Sequence, residues 1–358
     1  MLACGCDEGS RDEQRAHGPA LHVTATYPAD GQGTATSSDA GVDCDTPTPD
    51  CAVPTDVEIQ LRFDRFLLPG VGLSSGLHLF TGDPKANAVA LSPAYNLIER
   101  VVVFHLAAPL QPNTLYTAEV VPGKDPSAGF WAFDRAPLEA GPVPLSFSFT
   151  TGSGPAAPTA PAPVTTDNCT TLAHDGNSAG SLPTGPLKVC SDGSCHKNPP
   201  DVLLTDPDNF VKGYPPMGLS LTDWGLLHTA INRVAHESDT GNSALDPGLQ
   251  SGPRFGVQMN IVDPGFPENS YLMYKLLRKP ENYALADQEG CPDLFHPPVS
   301  DGACLTPAGD ELARLREWFV LGDPMPKDLA PDERLSLSRD ALEQVVRWIS
   351  AGAPCAVP

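Results

Sequence analysis

Positive charge is scarce in this chain. Its 358 residues carry 22 Lys plus Arg against 44 Asp plus Glu, a formal net charge of −22. Binding by phosphate neutralisation needs a basic face, so nucleic acid is excluded as a partner. Long apolar runs are also missing: none approaches the ~18 residues that a membrane-spanning helix requires. No repeat of solenoid period occurs. Glycine and proline are plentiful instead, at 32 and 40 residues, about a fifth of the chain. That content excludes a long all-helical bundle. Ten cysteines are too few for a disulfide-dense miniprotein and many for a reducing cytosol.

The first residues, Met-Leu-Ala-Cys-Gly-Cys, lack the basic segment and apolar run of a secretory signal. A small residue directly before a cysteine, followed by a polar tract, resembles the end of a bacterial lipoprotein signal. The expectation is that residues 1–19 form a tail and that Cys4 or Cys6 carries lipid. The alternative is two incidental cysteines.

Residues 20–152 carry strand signals. Val57, Ile59, Leu61 and Phe63 alternate strictly with polar residues, and residues 145–149 alternate again. Further β-rich runs span 21–27, 77–80, 101–106 and 115–121, separated by Pro, Gly, Asn and Asp. Several short antiparallel strands predict an all-β sandwich. The phrases "YPADGQ", "IQLRFDRFL", "LQPNTLYTAEV" and "FSFTTG" occur in this order, and residues 20–152 resemble a bacterial immunoglobulin-like (Ig-like) module of secreted and surface proteins. His22, His78 and His105 are dispersed and read as strand-face residues rather than ligands. Residues 153–186 open with an uncharged Pro/Ala tract and read as a linker, a site for limited proteolysis.

Residues 187–358 change to helical periodicity. Helices are expected over 222–234, 268–277, 310–319 and 338–349. In the first, Leu227, Ala230, Ile231 and Val234 share a face; in the last, Leu342, Val345, Val346 and Ile349 do so before Gly352. Short helices with Pro-rich connections seldom pack alone, which points to a cofactor at the centre of their core. The candidate is Cys190-Ser-Asp-Gly-Ser-Cys195-His196. Covalent c-type haem needs two thiols for the vinyl groups and an imidazole immediately after, usually as C-x-x-C-H. Here four residues separate the cysteines, and Gly193 makes the added bulge feasible. A Cys190–Cys195 disulfide and a zinc half-site are the competing readings.

Downstream, "VDPGFPENSYLMYKLL", "GDPMP" and "LSLSRDALEQVVRWISAGAPC" follow in an order that resembles a family of bacterial cytochrome c-like domains. Two departures are the wide cysteine spacing and Phe266 at a position where the family often has Asn. The resemblance implies a mostly α cytochrome c-like domain with one covalent haem c held by Cys190 and Cys195. His196 would be the proximal iron ligand and Met325 the distal one. Met217, His228 and His236 are rival distal ligands. Trp224, Trp318, Trp348 and Tyr271 are read as core.

With Cys190 and Cys195 assigned to haem, Cys44–Cys51 and Cys291–Cys304 are expected to be local disulfides. Cys169 and Cys355 then pair across the domain's ends. The implied function is an exported single-haem electron carrier, in the periplasm or anchored at the outer-membrane surface, serving an unidentified redox partner protein. It would not be an enzyme, unless an open distal site allowed sensing or peroxidase chemistry. The alternative is a cell-surface interaction protein that uses the Ig-like module and has no redox role.

Overall fold

The computed structural model describes residues 18–33, 52–69, 72–84, 87–123, 128–155, 167–173, 185–191, 219–233, 235, 259–279, 307, 310–315, 320, 325 and 336–355. Seven strands come first: β1 (Val23–Tyr27), β2 (Ile59–Phe63), β3 (Leu77–Phe80), β4 (Leu91–Asn96), β5 (Val101–Leu106), β6 (Leu115–Val120) and β7 (Ser146–Thr150). They form two antiparallel sheets, β1-β2-β5-β4 and β3-β6-β7. This is the strand partition of a seven-stranded immunoglobulin-like sandwich, so the expected all-β fold of this region is what forms.

Strand β2 shows why. Its alternating residues Ile59, Leu61 and Phe63 are buried between the sheets, where Phe63 meets Phe130 at 4.8 Å between ring centroids. Its other face, Gln60 and Arg62, is buried as well, so both sides of this central strand are covered. Before β6, Asn113 takes a left-handed φ of 51° in the Pro112-Asn113 turn. At the start of β6 the hydroxyl of Tyr116 accepts a bond from the backbone N–H of Gln111 at 2.9 Å. This is the tyrosine corner of such sandwiches. Strand β4 was not among the expected strands because Pro93 interrupts it. It is tolerated there because β4 is an edge strand, with one side free of ladder bonds.

Helices follow: α1 (Cys169–Ala173), α2 (Lys188–Ser191), α3 (Asp223–Thr229), α4 (Tyr271–Leu277), α5 (Glu311–Arg314) and α6 (Arg339–Ser350). Helix α6 begins where Ser338 caps the N–H of Ala341 at 3.2 Å and stops before Gly352, whose φ is +90°. It buries Leu342, Val345, Val346, Trp348 and Ile349, the expected face with Trp348 added. Helix α3 is shorter than expected. Thr222 caps it through Gly225, it ends at Thr229, and Leu226, Thr229 and the following Ala230 are buried while Leu227 is half-exposed.

The expectation of a cytochrome c-like domain is corrected by this packing. Among the described residues the helices run only four to twelve residues. The core between them is filled by side chains: Leu226, Met273, Tyr274, Leu276, Leu277, Val345, Trp348 and Ile349 are fully buried in one apolar cluster. Phe66 of the sandwich reaches Tyr274 of α4 at 6.5 Å between centroids. Short helices are stabilised here by docking on each other and on the sandwich, so no central cofactor is needed to explain how they pack. No helix among the described residues is long and apolar enough to cross a membrane.

Candidate functional site

The expected haem site is only partly visible. Cys195 and His196 lie outside the described residues, as do Met217 and His236. Cys190 in α2 is buried at 2% exposure, Met325 is buried at 8%, and His228 is exposed on α3. Cys4, Cys6, Cys44, Cys51, Cys291 and Cys304 also lie outside the described residues. Among the described residues, no group of three or more His, Cys, Asp or Glu side chains could hold a metal ion. The haem, iron and electron-transfer expectations fall with the resemblance that carried them.

The phrases behind that resemblance have a structural role. In residues 259–270 the loop is built on Asp263, whose carboxylate accepts from Asn269 at 2.5 Å and from Asn260 at 3.3 Å. Its backbone N–H donates to Ser270 Oγ at 2.9 Å. The N–H of Gly265 then donates to the carbonyl of Ile349 at 2.7 Å, fastening the loop to the end of α6. Beyond α6, the carbonyl of Pro354 accepts from the Trp348 indole at 3.1 Å and from the Cys169 N–H at 3.1 Å. Cys169 and Cys355 are joined in a disulfide, 186 positions apart in sequence, as expected. Asp167 adds bonds to Gln344 and Arg347 of α6. The first and last of these phrases are thus joined in one latch that gathers the ends of the helical half.

A cluster that the sequence analysis missed lies where that half meets the sandwich. Antiparallel pairing alternates the direction of successive strands, so the connections 64–76, 97–100 and 121–145 share one end of the sandwich. Arg65, from the first connection, donates through Nε to Glu311 of α5 at 2.7 Å. Through Nη2 it donates to Asp134 at 2.8 Å, and through Nη1 to the Pro19 carbonyl. All three charged side chains are 6% exposed or less. Glu311 also accepts the N–H of Phe66 at 3.0 Å, and Arg314 stands 3.6 Å from Asp134.

A second group surrounds Glu99 in the turn 97–100. Its fully buried carboxylate accepts from Arg339 of α6 at 3.0 Å and from Arg62 of β2 at 3.4 Å. Alongside, Asn96 donates to Glu343 of α6 at 3.4 Å.

Burial sets the electrostatics of both groups. It pushes Glu311 up to about 7 against the pull of Arg65. Glu99 also rises to about 7, through burial and then the neighbouring Glu343, against Arg339 and Arg62. Burial raises Asp134 too, but the hydrogen bond and charge of Arg65 outweigh it and hold its carboxyl below the usual range. The signal that could have revealed these residues is charge embedded in apolar runs: Arg62 and Arg65 in "LRFDRFLL", and Glu99 and Arg100 in "NLIERVVVF". Of the sandwich histidines, His78 and His105 lie exposed on β3 and β5, whereas His22 stands just before β1 rather than on it. His22 pairs with Asp64 at 2.9 Å and His105 with Glu58 at 2.8 Å.

No family model matches the chain. No curated protein matches it either. Among solved structures, the chain is similar to surface layer protein SbsC, domains 1–6, at 11% identity and a TM-score of 0.24; 44% of this chain and 16% of that one are covered. The N-terminal part of the bacterial S-layer protein SbsC gives 11% identity and the same TM-score over 44% of this chain and 28% of that one. The S-layer protein rSbsC(31-844) gives 10% and 0.24 over 47% and 19%. The chain therefore spans well under a third of the length of each, and a likeness this low carries no argument about fold or role.

Proposed function

We propose that the chain is an exported cell-surface interaction protein whose Ig-like sandwich does the binding. The observation that carries this reading is the Cys169–Cys355 disulfide. A bridge of this span closes most of the helical half, and such structural disulfides persist in oxidising compartments outside the cytosol. The acidity is consistent with a solvated protein kept soluble by its charge.

The fold favours one end of the sandwich as the binding face. The helical half occupies the end formed by residues 64–76, 97–100 and 121–145. The opposite end presents the connections 81–90 and 107–114, where Gly82, Asp83, Pro109 and Pro112 are exposed. Leu115, beside them, is 55% exposed. Loops on a rigid sandwich are where binding residues concentrate. A lipid on Cys4 or Cys6 would tether the module to a membrane, and mass spectrometry of native material tests that separately.

The deciding experiment combines peptide mapping without reduction with protease treatment of intact cells. The reading expects a 169–355 bridged peptide from native protein and loss of the full-length chain on treatment. Reduced thiols at both positions, in a chain protected until the cells are broken, would overturn it.

A further inference from the structure

We propose that residues 18–22 form a strap that controls whether the helical half docks on the sandwich. This goes beyond the surface role and does not rest on it. The strap lies just before β1, between two connections at the covered end of the sandwich. On one side the N–H of Leu21 donates to the Pro137 carbonyl at 2.9 Å, and the N–H of Glu139 donates back to the Leu21 carbonyl at 2.9 Å. On the other side the N–H of His22 donates to Asp64 at 2.8 Å. Leu21 itself is fully buried. Residues 21 and 22 are thus held from both sides, and they carry Gly18 and Pro19 into the joint.

There they meet the groups that reach the helical half. The N–H of Gly18 donates to Oδ2 of Asp134 at 2.8 Å, the same atom that accepts from Nη2 of Arg65. Arg314 of α5 stands 3.6 Å from that oxygen. The Pro19 carbonyl accepts from Nη1 of Arg65. A guanidinium is a rigid planar fork. With Nη1 on Pro19 and Nη2 on Asp134 its plane is set, and Nε is aimed at Glu311 of α5, 2.7 Å away. The strap therefore supplies one acceptor for Arg65 and steadies a second. Gly18 has no room for a side chain. A Cβ there would press into Oδ2 of Asp134 and stand 2.8 Å from Nη2 of Arg65 and 2.9 Å from Nε of Arg314.

Glu311 is where this alignment reaches the helical half. Its second oxygen accepts the N–H of Phe66 at 3.0 Å, and the Phe66 ring meets Tyr274 of α4. With the strap in place, docking covers this ring pair. With the strap withdrawn, Arg65 loses the Pro19 carbonyl and turns toward water, and its hold on Glu311 weakens. The coupling is reciprocal. Whatever draws the N-terminal segment off the sandwich opens the joint, and opening the joint loosens the strap.

The Phe66 amide reports on docking, because its bond runs from the sandwich to Glu311 of the helical half. The test compares hydrogen exchange of the full chain with that of Gly18→Ala. The variant should speed exchange at Phe66 by about tenfold or more, the size of losing one hydrogen bond to a charged group. Amides in the ladder between β2 and β5 should keep their wild-type rates. Unchanged exchange at Phe66 overturns the strap. So does an equal acceleration of Phe66 and the ladder, which would assign residues 18–22 to the stability of the sandwich alone. If Gly18→Ala fails to fold, two shortened chains decide. One beginning at Gly18 keeps both contacts with the joint, and one beginning at Ala20 loses them. Faster exchange at Phe66 in the chain that begins at Ala20 supports the strap, and equal rates in the two chains overturn it.

Discussion

The sandwich and the helical half reach stability by different routes. The sandwich is built from ladders between neighbouring strands, and its inward-facing residues recur every second position. The helical half has short helices that could not stand alone in water. Its order comes from long-range ties: a disulfide across 186 positions, a loop fastened to the end of α6, and buried arginine–glutamate pairs with the sandwich. A region with little local order depends on a few distant contacts, so losing one of them should cost it more than a typical single contact costs the sandwich.

The sharpest way to break this contrast is to remove the disulfide. Replacing Cys169 and Cys355 by Ala should cost about 4–5 kcal/mol, because the open chain regains the entropy of a very long loop. Denaturant melts should show the helical transition moving ahead of the sandwich. A single unchanged transition would show that the bridge is not what closes this half.

Next in size is the joint. Arg65→Ala leaves Glu311 and Asp134 buried without their shared cation, and should cost about 3–5 kcal/mol by denaturant titration. Cleavage in the Pro/Ala tract sharpens the comparison: the two fragments should co-elute on gel filtration in wild type and separate in Arg65→Ala. In the sandwich, Tyr116→Phe removes the bond from the Gln111 N–H and should cost about 1 kcal/mol. The smallest effect belongs to Arg347→Ala. Its partner is Asp167 at 3.4 Å, but the side chain is 46% exposed, so the loss should be under about 1 kcal/mol. A larger loss would show that the latch around α1 relies on surface charge.

Legibility in the sequence followed the same divide. Six of the seven strands were readable, and the seventh was hidden by Pro93, which only its edge position permits. Helix α6 was readable from Ser338, its apolar face and Gly352. The tyrosine corner was missed, although Tyr116 sits in the phrase "LQPNTLYTAEV" that pointed to the fold. The phrases "VDPGFPENSY" and "WISAGAPC" were legible as a pair but misread in purpose. Their residues bond to each other through Gly265, Ile349, Trp348 and Pro354, and such pairing leaves the same pattern in a sequence whether or not a cofactor lies nearby.

The amino-acid sequence by itself determined the local elements, because periodicity, caps and turn residues act over a few positions. The Cys169–Cys355 pair was reached by setting Cys190 and Cys195 aside for haem, an assignment that does not stand, so it is the fold that settles this bridge. Only the tertiary structure decided which end of the sandwich is covered and which charges are buried there. Arg65 and Glu311 are 246 positions apart, a separation that leaves no periodic trace. The energy of a carboxylate depends on the water and charge around it, so its behaviour is settled only when the chain has folded.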